Sequence, residues 1–246
     1  MNPDFHHTRD EAGEVLIAAE AMSAYSPEWF KADMRTDTTA RLSGGRGSVR
    51  VFDTAIGTLV RRDYLRGGIP RHVIRDRYLW TGLQRVRSIH EFHVLRELRR
   101  RGLRVPTAIA ASCRRNGPLY RASLIMRLIP GARTLVEALI DAGDRVSLLA
   151  RSADAIADLH CQRVWHADLN AANILVDAAD EIWVIDFDRA RLDVRDRVRL
   201  EGNLARLLRS LRKLLPAPVL HDVERAWPAM CERYRVRLAG VCSPTP

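Results

Sequence analysis

The chain almost does without lysine. Of its 40 basic residues only Lys31 and Lys213 are lysines, so any central cation between positions 32 and 212 has to be an arginine. Cysteine is scarce as well. Cys113, Cys161, Cys231 and Cys242 lie too far apart for a zinc knuckle or a C-x-x-C redox pair, and the expectation is buried free thiols in a reducing compartment. The longest apolar stretches, such as 124–126 and 182–185, fall far short of the roughly 20 residues that span a bilayer. The opening MNPDFHHTRD lacks the apolar core of a secretory leader, so a cytosolic or peripheral membrane protein is expected. Internal repeats, low-complexity tracts and RNA-recognition signatures are missing too, and neither a nucleic-acid partner nor an obligate protein partner is expected.

What is present is a soluble globular composition, 47% apolar and 28% charged over 246 residues, enough for one large domain or two small lobes. The net charge of +10 is unevenly placed. Residues 1–40 carry three basic and eight acidic groups; residues 41–125 carry 19 arginines against five acids, a net +14; the remainder is nearly balanced. An arginine-favouring genome explains arginine over lysine, but not this placement. A segment so basic attracts phosphate-rich partners or an anionic membrane.

Three segments are expected: a loosely held arm at 1–40, a β-rich lobe at 41–129 and an α-rich lobe at 130–246. Alternating Val49, Val51, Leu59 and Val60 flank a turn at 54–57 and predict a hairpin. Ser88 with Glu91 three residues on reads as a capping box. The helix it opens runs through Phe92, Leu95 and Leu98 and stops at Gly102. Strands are expected near 107–112 and 119–128, a lobe boundary at Pro130-Gly131, and helices at 134–140 and 145–160. A leucine-striped helix ending near Leu215 follows two short strands; it reads as a core helix of the second lobe.

The decisive segment is HADLNAANILV at 166–176, followed by IWVIDFD at 182–188. Strands 174–176 and 182–186, separated by a polar turn, should pair antiparallel. The start of the first then lies beside the end of the second, which brings Asn173 next to Asp186 and the loop of Asp168 beside both. Converging oxygen ligands of this kind suit Mg²⁺. The spacing H-x-D-x-x-x-x-N followed by D-F-D resembles the catalytic loop and metal-binding turn of protein kinases and their small-molecule relatives. That resemblance implies an α+β, bilobal protein-kinase-like fold with the ATP cleft between the lobes. It makes Asp168 the base that takes the substrate hydroxyl proton, and Asn173 and Asp186 the Mg²⁺ ligands. His166 reads as a brace for the loop.

Upstream, Gly44, Gly45 and Gly47 can bring backbone N–H groups to phosphate. Glu91 stands where a kinase keeps its ion-pairing glutamate. Without a strand lysine, the phosphate-binding role falls to arginine or stays unfilled. Val60 and Arg62 alternate onto one face, with Val60 placed against adenine and Arg62 preferred over Arg61 as the cation.

The run from 44 to about 215 resembles the 3-deoxy-D-manno-octulosonic acid (Kdo) kinases among the lipopolysaccharide core kinases. The similarity rests on VRRDYLRGG at 60–68, DRYLWTG at 76–82, RSIHEFHVLRELRRRGLRVPTAIAA at 87–111, HADLNAANILVD at 166–177 and VIDFDRARL at 184–192. The resemblance implies ATP- and Mg²⁺-dependent phosphorylation of a Kdo hydroxyl on a lipid A precursor at the cytoplasmic face of the inner membrane. The insert at 63–90, with Arg66, Arg71, Arg75 and Arg77 among aromatic residues, suits either an anionic surface or the acceptor. Two features depart from protein kinases: Asp188 replaces glycine after Asp186-Phe187, and the short segment 189–197 leaves no room for a regulatory activation loop. A heptose kinase of the same pathway, an aminoglycoside-type phosphotransferase and an inactive kinase-fold scaffold remain as alternatives.

Overall fold

The computed structural model describes residues 4–31, 49–64 and 78–241. The expected glycine loop at Gly44, Gly45 and Gly47 lies outside them, as do Arg66, Arg71, Arg75 and Arg77. The chain forms two compact units, Met1–Glu97 with Pro106–Leu128, and Leu98–Val105 with Ile129–Pro246.

The first unit is β-rich. Its strands are β1 (Phe5–Asp10), β2 (Gly13–Ala18), β3 (Val49–Thr54), β4 (Gly57–Asp63) and β5 (Tyr78–Leu79); after helix α1 (Arg87–Arg100) come β6 (Ala108–Asn116) and β7 (Leu119–Arg127). They make one antiparallel sheet in the order β1-β2-β6-β7-β4-β3, with β5 also on β7. The predicted β3–β4 hairpin is present, Thr54 pairing with Gly57 across its turn.

The expectation of a loose amino-terminal arm fails for its described residues. β1 and β2 form a hairpin that joins the sheet through β6. Val15, Ile17 and Ala18 are fully buried, and each Val or Ile so buried is worth roughly 1.5–3 kcal/mol. Mixed acids and histidines masked the strands, because no residue of β1 is buried and only the last four residues of β2 are. Gly13 is required at their turn: its φ is +98°, and a Cβ there would lie 2.3 Å from the Cys113 carbonyl oxygen.

The predicted capping box at Ser88 does not form. α1 starts at Arg87, so Ser88 sits inside the helix. Its hydroxyl is buried and donates to the Ser112 carbonyl at 2.8 Å. The helix ends as expected. Gly102 (φ +80°) lets the N–H groups of Leu103 and Gly102 return to the carbonyls of Leu98 and Arg99, a Schellman closure.

The second unit is helical. β8 (Arg133–Thr134) leads into α2 (Leu135–Asp141), where Thr134 and Glu137 form a true capping box. α3 (Arg145–Cys161) follows, capped by Asp144. Then come β9 (Ile174–Val176), β10 (Ile182–Val184), α4 (Arg197–Leu214) and α5 (Ala217–Val241). β10, β9 and β8 form a small antiparallel sheet. α4 buries the expected leucine stripe: Leu200, Leu204, Leu207 and Leu211. α5 was not anticipated. Its buried Val219, Val223, Met230 and Tyr234 follow helical spacing, but Pro228 stands in the middle of the pattern and reads locally as a breaker.

The cysteines correct another expectation. Cys113 is buried and free, and burial pushes its thiol up to about 12. Cys231 is half-buried and free. Cys161, at the end of α3 beside Leu238 of α5, is disulfide-bonded rather than a free thiol.

Candidate active site

In the helical unit, β9 and β10 pair in the expected register, with Ile174 opposite Val184 and Val176 opposite Ile182. One step further, the Ile185 N–H donates to the Asn173 carbonyl at 3.0 Å. Asn173 thus lies beside the residue that precedes Asp186, as the hairpin argument requires. Asp186 adopts φ +69°, a left-handed conformation rare outside glycine and often found where geometry serves function.

The loop before β9 is held by its own polar groups. Asn170 Oδ1 accepts from the N–H groups of Ala172 (2.9 Å) and Asn173 (3.1 Å). The Asn173 side-chain amide donates to the Asp168 carbonyl at 2.8 Å. That engages Nδ2 and leaves Oδ1 as the atom Asn173 offers to a cation. Asp168 itself is exposed, with its side chain 67% accessible, and Arg206 Nη1 lies 3.7 Å from its Oδ1.

His166 is fully buried and braces this loop. Its Nε2–H donates to the Ile185 carbonyl at 2.9 Å, and its Nδ1 accepts the Asp168 N–H at 3.1 Å. One neutral tautomer satisfies both bonds, and burial lowers the imidazole below its usual range, which favours that form. Phe187 packs edge-on against the ring, 4.9 Å between centroids.

Three further residues extend the brace. Asn203 Nδ2 donates to the His166 carbonyl at 2.7 Å. Asn203 Oδ1 accepts from His160 Nε2 at 3.1 Å, and His160 Nδ1 accepts from the Tyr234 hydroxyl at 2.8 Å. All are buried, so a chain of satisfied hydrogen bonds links α5, α3 and α4 to the loop of Asp168. Burial pushes His160 down to about 4. None of the three was singled out in the sequence. The available signal was Asn203, a polar residue on the buried leucine stripe of α4.

In the β-rich unit, Arg62 donates to Glu91 Oε2 at 2.5 Å, with Glu91 only 1% exposed. Arg61 turns the other way, to Asp63 (2.8 Å) and the Lys31 carbonyl (2.8 Å). Val60, two residues before Arg62, is buried on β4. Tyr64, which sequence reasoning passed over, donates its hydroxyl to the same Glu91 oxygen, and its ring lies 4.7 Å beneath the Arg62 guanidinium. The i, i+2 alternation that joins Val60 to Arg62 also reaches Tyr64 and could have found it.

A model of the lipopolysaccharide kinase (Kdo/WaaP) family matches residues 35–234. The chain belongs to that family. A 3-deoxy-D-manno-octulosonic acid kinase of Xanthomonas axonopodis pv. citri (strain 306) is 42% identical over 224 residues, 91% of this chain and 87% of the relative. The kinase of the same name from Stenotrophomonas maltophilia (strain K279a) is 41% identical over 191 residues, 78% and 76% of the two chains. Among solved structures, the bifunctional kinase-methyltransferase WbdD matches with a TM-score of 0.45 at 20% identity, over 80% of this chain and 44% of its own; the chain thus spans less than half of that protein.

The fold of this family member is the expected α+β one, with a β-rich and an α-rich unit. Among the described residues no group of three or more His, Cys, Asp or Glu side chains could hold a metal ion. The donor set does fit Mg²⁺ in the way nucleotide enzymes use it. That cation takes one or two protein oxygens and completes its shell with phosphates and water, and Asn173 Oδ1 and the Asp186 carboxylate are hard oxygen donors.

Proposed function

We propose that this kinase transfers the γ-phosphoryl group of ATP to a hydroxyl of Kdo on a lipid A precursor in lipopolysaccharide core biosynthesis. The observation that carries the reading is the identity of 41–42% over most of the chain with proteins named Kdo kinase. The geometry at 166–188 gives it a chemistry. Asp168 would accept the acceptor hydroxyl proton; the exposure of its carboxylate supports this role. Asn173 and Asp186 would hold Mg²⁺, which would draw off charge developing on the phosphates when bound. His166, through the Asp168 N–H, fixes the loop. Arg62, braced by Glu91 and Tyr64, supplies the cation that binds nucleotide phosphate, and its planar fork suits that role. Val60 would line the adenine site, and Gly44, Gly45 and Gly47 would bring backbone N–H groups to phosphate.

Because the proposed acceptor is a glycolipid, we assign the kinase a peripheral position on the cytoplasmic side of the inner membrane. The net +14 of residues 41–125 supports attraction to anionic headgroups. No described helix is long and apolar enough to cross a membrane.

Mass spectrometry of a Kdo-bearing lipid A precursor after incubation with enzyme, ATP and Mg²⁺ tests the function. One added phosphate located on the Kdo residue is expected. Phosphate on a heptose-bearing acceptor alone would move the assignment to the heptose kinases.

A further inference from the structure

α4 presents one stripe to the loop of Asp168. Asn203, Arg206 and Ser210 are spaced by three and four residues, so they share a helix face. They meet the loop in order. Asn203 donates to the His166 carbonyl at 2.7 Å, and the Ser210 hydroxyl accepts the Ala171 N–H at 3.0 Å. Arg206, between them, meets a side chain: its Nη1 is 3.7 Å from Asp168 Oδ1. That distance gives Coulomb attraction but is too long for a hydrogen bond.

The flanking bonds fix this stretch of α4 against the loop, so Arg206 is positioned without being consumed. Its Nε is buried and has no hydrogen-bond partner among the described residues, while the side chain as a whole remains 42% exposed. A buried donor left without an acceptor is costly. A planar guanidinium can bind a carboxylate through two parallel N–H groups, and with Nε buried the two terminal nitrogens are the pair available for it. The loop from His166 to Asn173 brings no cation of its own, and Asn170 there is engaged in capping the turn.

The acceptor proposed above is an acid. At neutral pH its carboxylate would approach Asp168 when a neighbouring hydroxyl is brought up for phosphorylation. Two carboxylates so close repel. A guanidinium beside Asp168 relieves this.

On these grounds, and resting on the Kdo reading, we infer that Arg206 binds the carboxylate of the acceptor sugar and selects an acidic sugar over a neutral one. Arg206 then serves two partners in turn. It attracts Asp168 weakly in the free enzyme and forms a paired hydrogen bond to the acceptor when the sugar arrives. A neutral sugar leaves the guanidinium without that partner.

The test compares a Kdo-bearing lipid A precursor with its derivative in which the Kdo carboxylate is a carboxamide, using wild-type enzyme, Arg206→Gln and Arg206→Lys. Wild type should favour the acid by roughly 10- to 100-fold in kcat/KM, the range that one charged hydrogen-bonded contact supplies. Arg206→Gln should lose that preference through a higher KM for the acid, with KM for ATP unchanged; Arg206→Lys, which keeps the charge, should hold part of it. An equal loss on acid and amide, or a raised KM for ATP with the acid preference intact, overturns the inference and assigns Arg206 to the phosphoryl group or to loop support. Wild-type enzyme inactive on both acceptors would instead overturn the Kdo reading, and this inference with it.

Discussion

Arg62 and Tyr64 end on the same atom, Oε2 of Glu91. Two donors, one near the end of β4 and one from the residue just after it, thus compensate a carboxylate that is almost wholly buried, and the tyrosine ring stacks under the guanidinium it competes with. The tyrosine hydroxyl is pushed well above its usual range, by burial first and then by the Glu91 charge, so it stays a donor.

Removing either donor should therefore cost more than a surface ion pair would. Arg62→Ala leaves a buried carboxylate short of its cation, a change of about 3–5 kcal/mol in comparable sites, and it should also raise KM for ATP. Arg62→Lys should restore activity only in part, since a point charge replaces a fork. Arg61→Ala should leave KM for ATP near wild type. Thermal melts beside steady-state kinetics check this; a crippling Arg61→Ala with a silent Arg62→Ala would shift the phosphate cation to the other face of β4.

Asp168→Asn should lower kcat by about 10²–10⁴-fold, the usual worth of a general base, while the fold and nucleotide binding persist. The loop is held by His166, Asn170 and Asn173 and not by the Asp168 carboxylate. Retention of more than about a tenth of wild-type kcat would falsify the base role.

Asp186→Ala should weaken Mg²⁺-dependent ATP binding more than Asn173→Ala. A full negative charge is lost in the first case and one carbonyl dipole in the second. Titrating Mg²⁺ against ATP affinity in both variants separates them. Small and equal effects would show that the cation sits elsewhere.

The His160 relay predicts a pH dependence of stability. Its imidazole titrates near 6.5 when unfolded and is held down to about 4 in the fold, chiefly by burial. As a base with a depressed folded pKa, it lets the unfolded chain take up the proton first. Stability is therefore complete above about 6.5 and is lost as pH falls towards 4, by about 2 kcal/mol between pH 7 and pH 5. Urea unfolding at both values, in wild type and His160→Gln, checks this: the variant should lose less on acidification. Equal losses would mean that other groups carry the dependence.

Vesicles containing anionic lipid should bind the kinase, and salt should weaken the binding, because each Lys or Arg near such a surface contributes about 1 kcal/mol within a Debye length. Replacing Arg71, Arg75 and Arg77 with Ser should lower activity on membrane-embedded acceptor more than on a short soluble Kdo glycoside. Co-sedimentation at low and high salt, with both activity assays, decides; salt-insensitive binding and equal losses would move these arginines into the acceptor pocket.

The sequence by itself determined the parts of this protein that depend on neighbours along the chain. The β9–β10 hairpin places Asn173 beside the residue before Asp186 because two short strands and a polar turn can pair in little else but this register. β3, β4, β6, β7, α1 and α4 were legible for the same reason: their apolar period and their turn residues are local signals. The family was legible because the chemistry-bearing loop is one continuous segment. Only the tertiary structure decided what joins distant segments. Glu91 reads as a local cap until folding brings β4 within reach, after which its buried carboxylate must meet Arg62 and Tyr64, 29 and 27 residues away. Tyr234 and His160 give no local signal, and Asn203 only that of a polar residue on a leucine stripe; once they are buried together, each polar atom has to find a partner, and the chain of bonds ends on His166. Arg206 came to light in the same way. Its helix was predicted as a leucine stripe, but which neighbouring residues face Asp168 depends on how far α4 is rotated on its axis, and that rotation is set by Asn203 and Ser210 bonding the loop on either side of it.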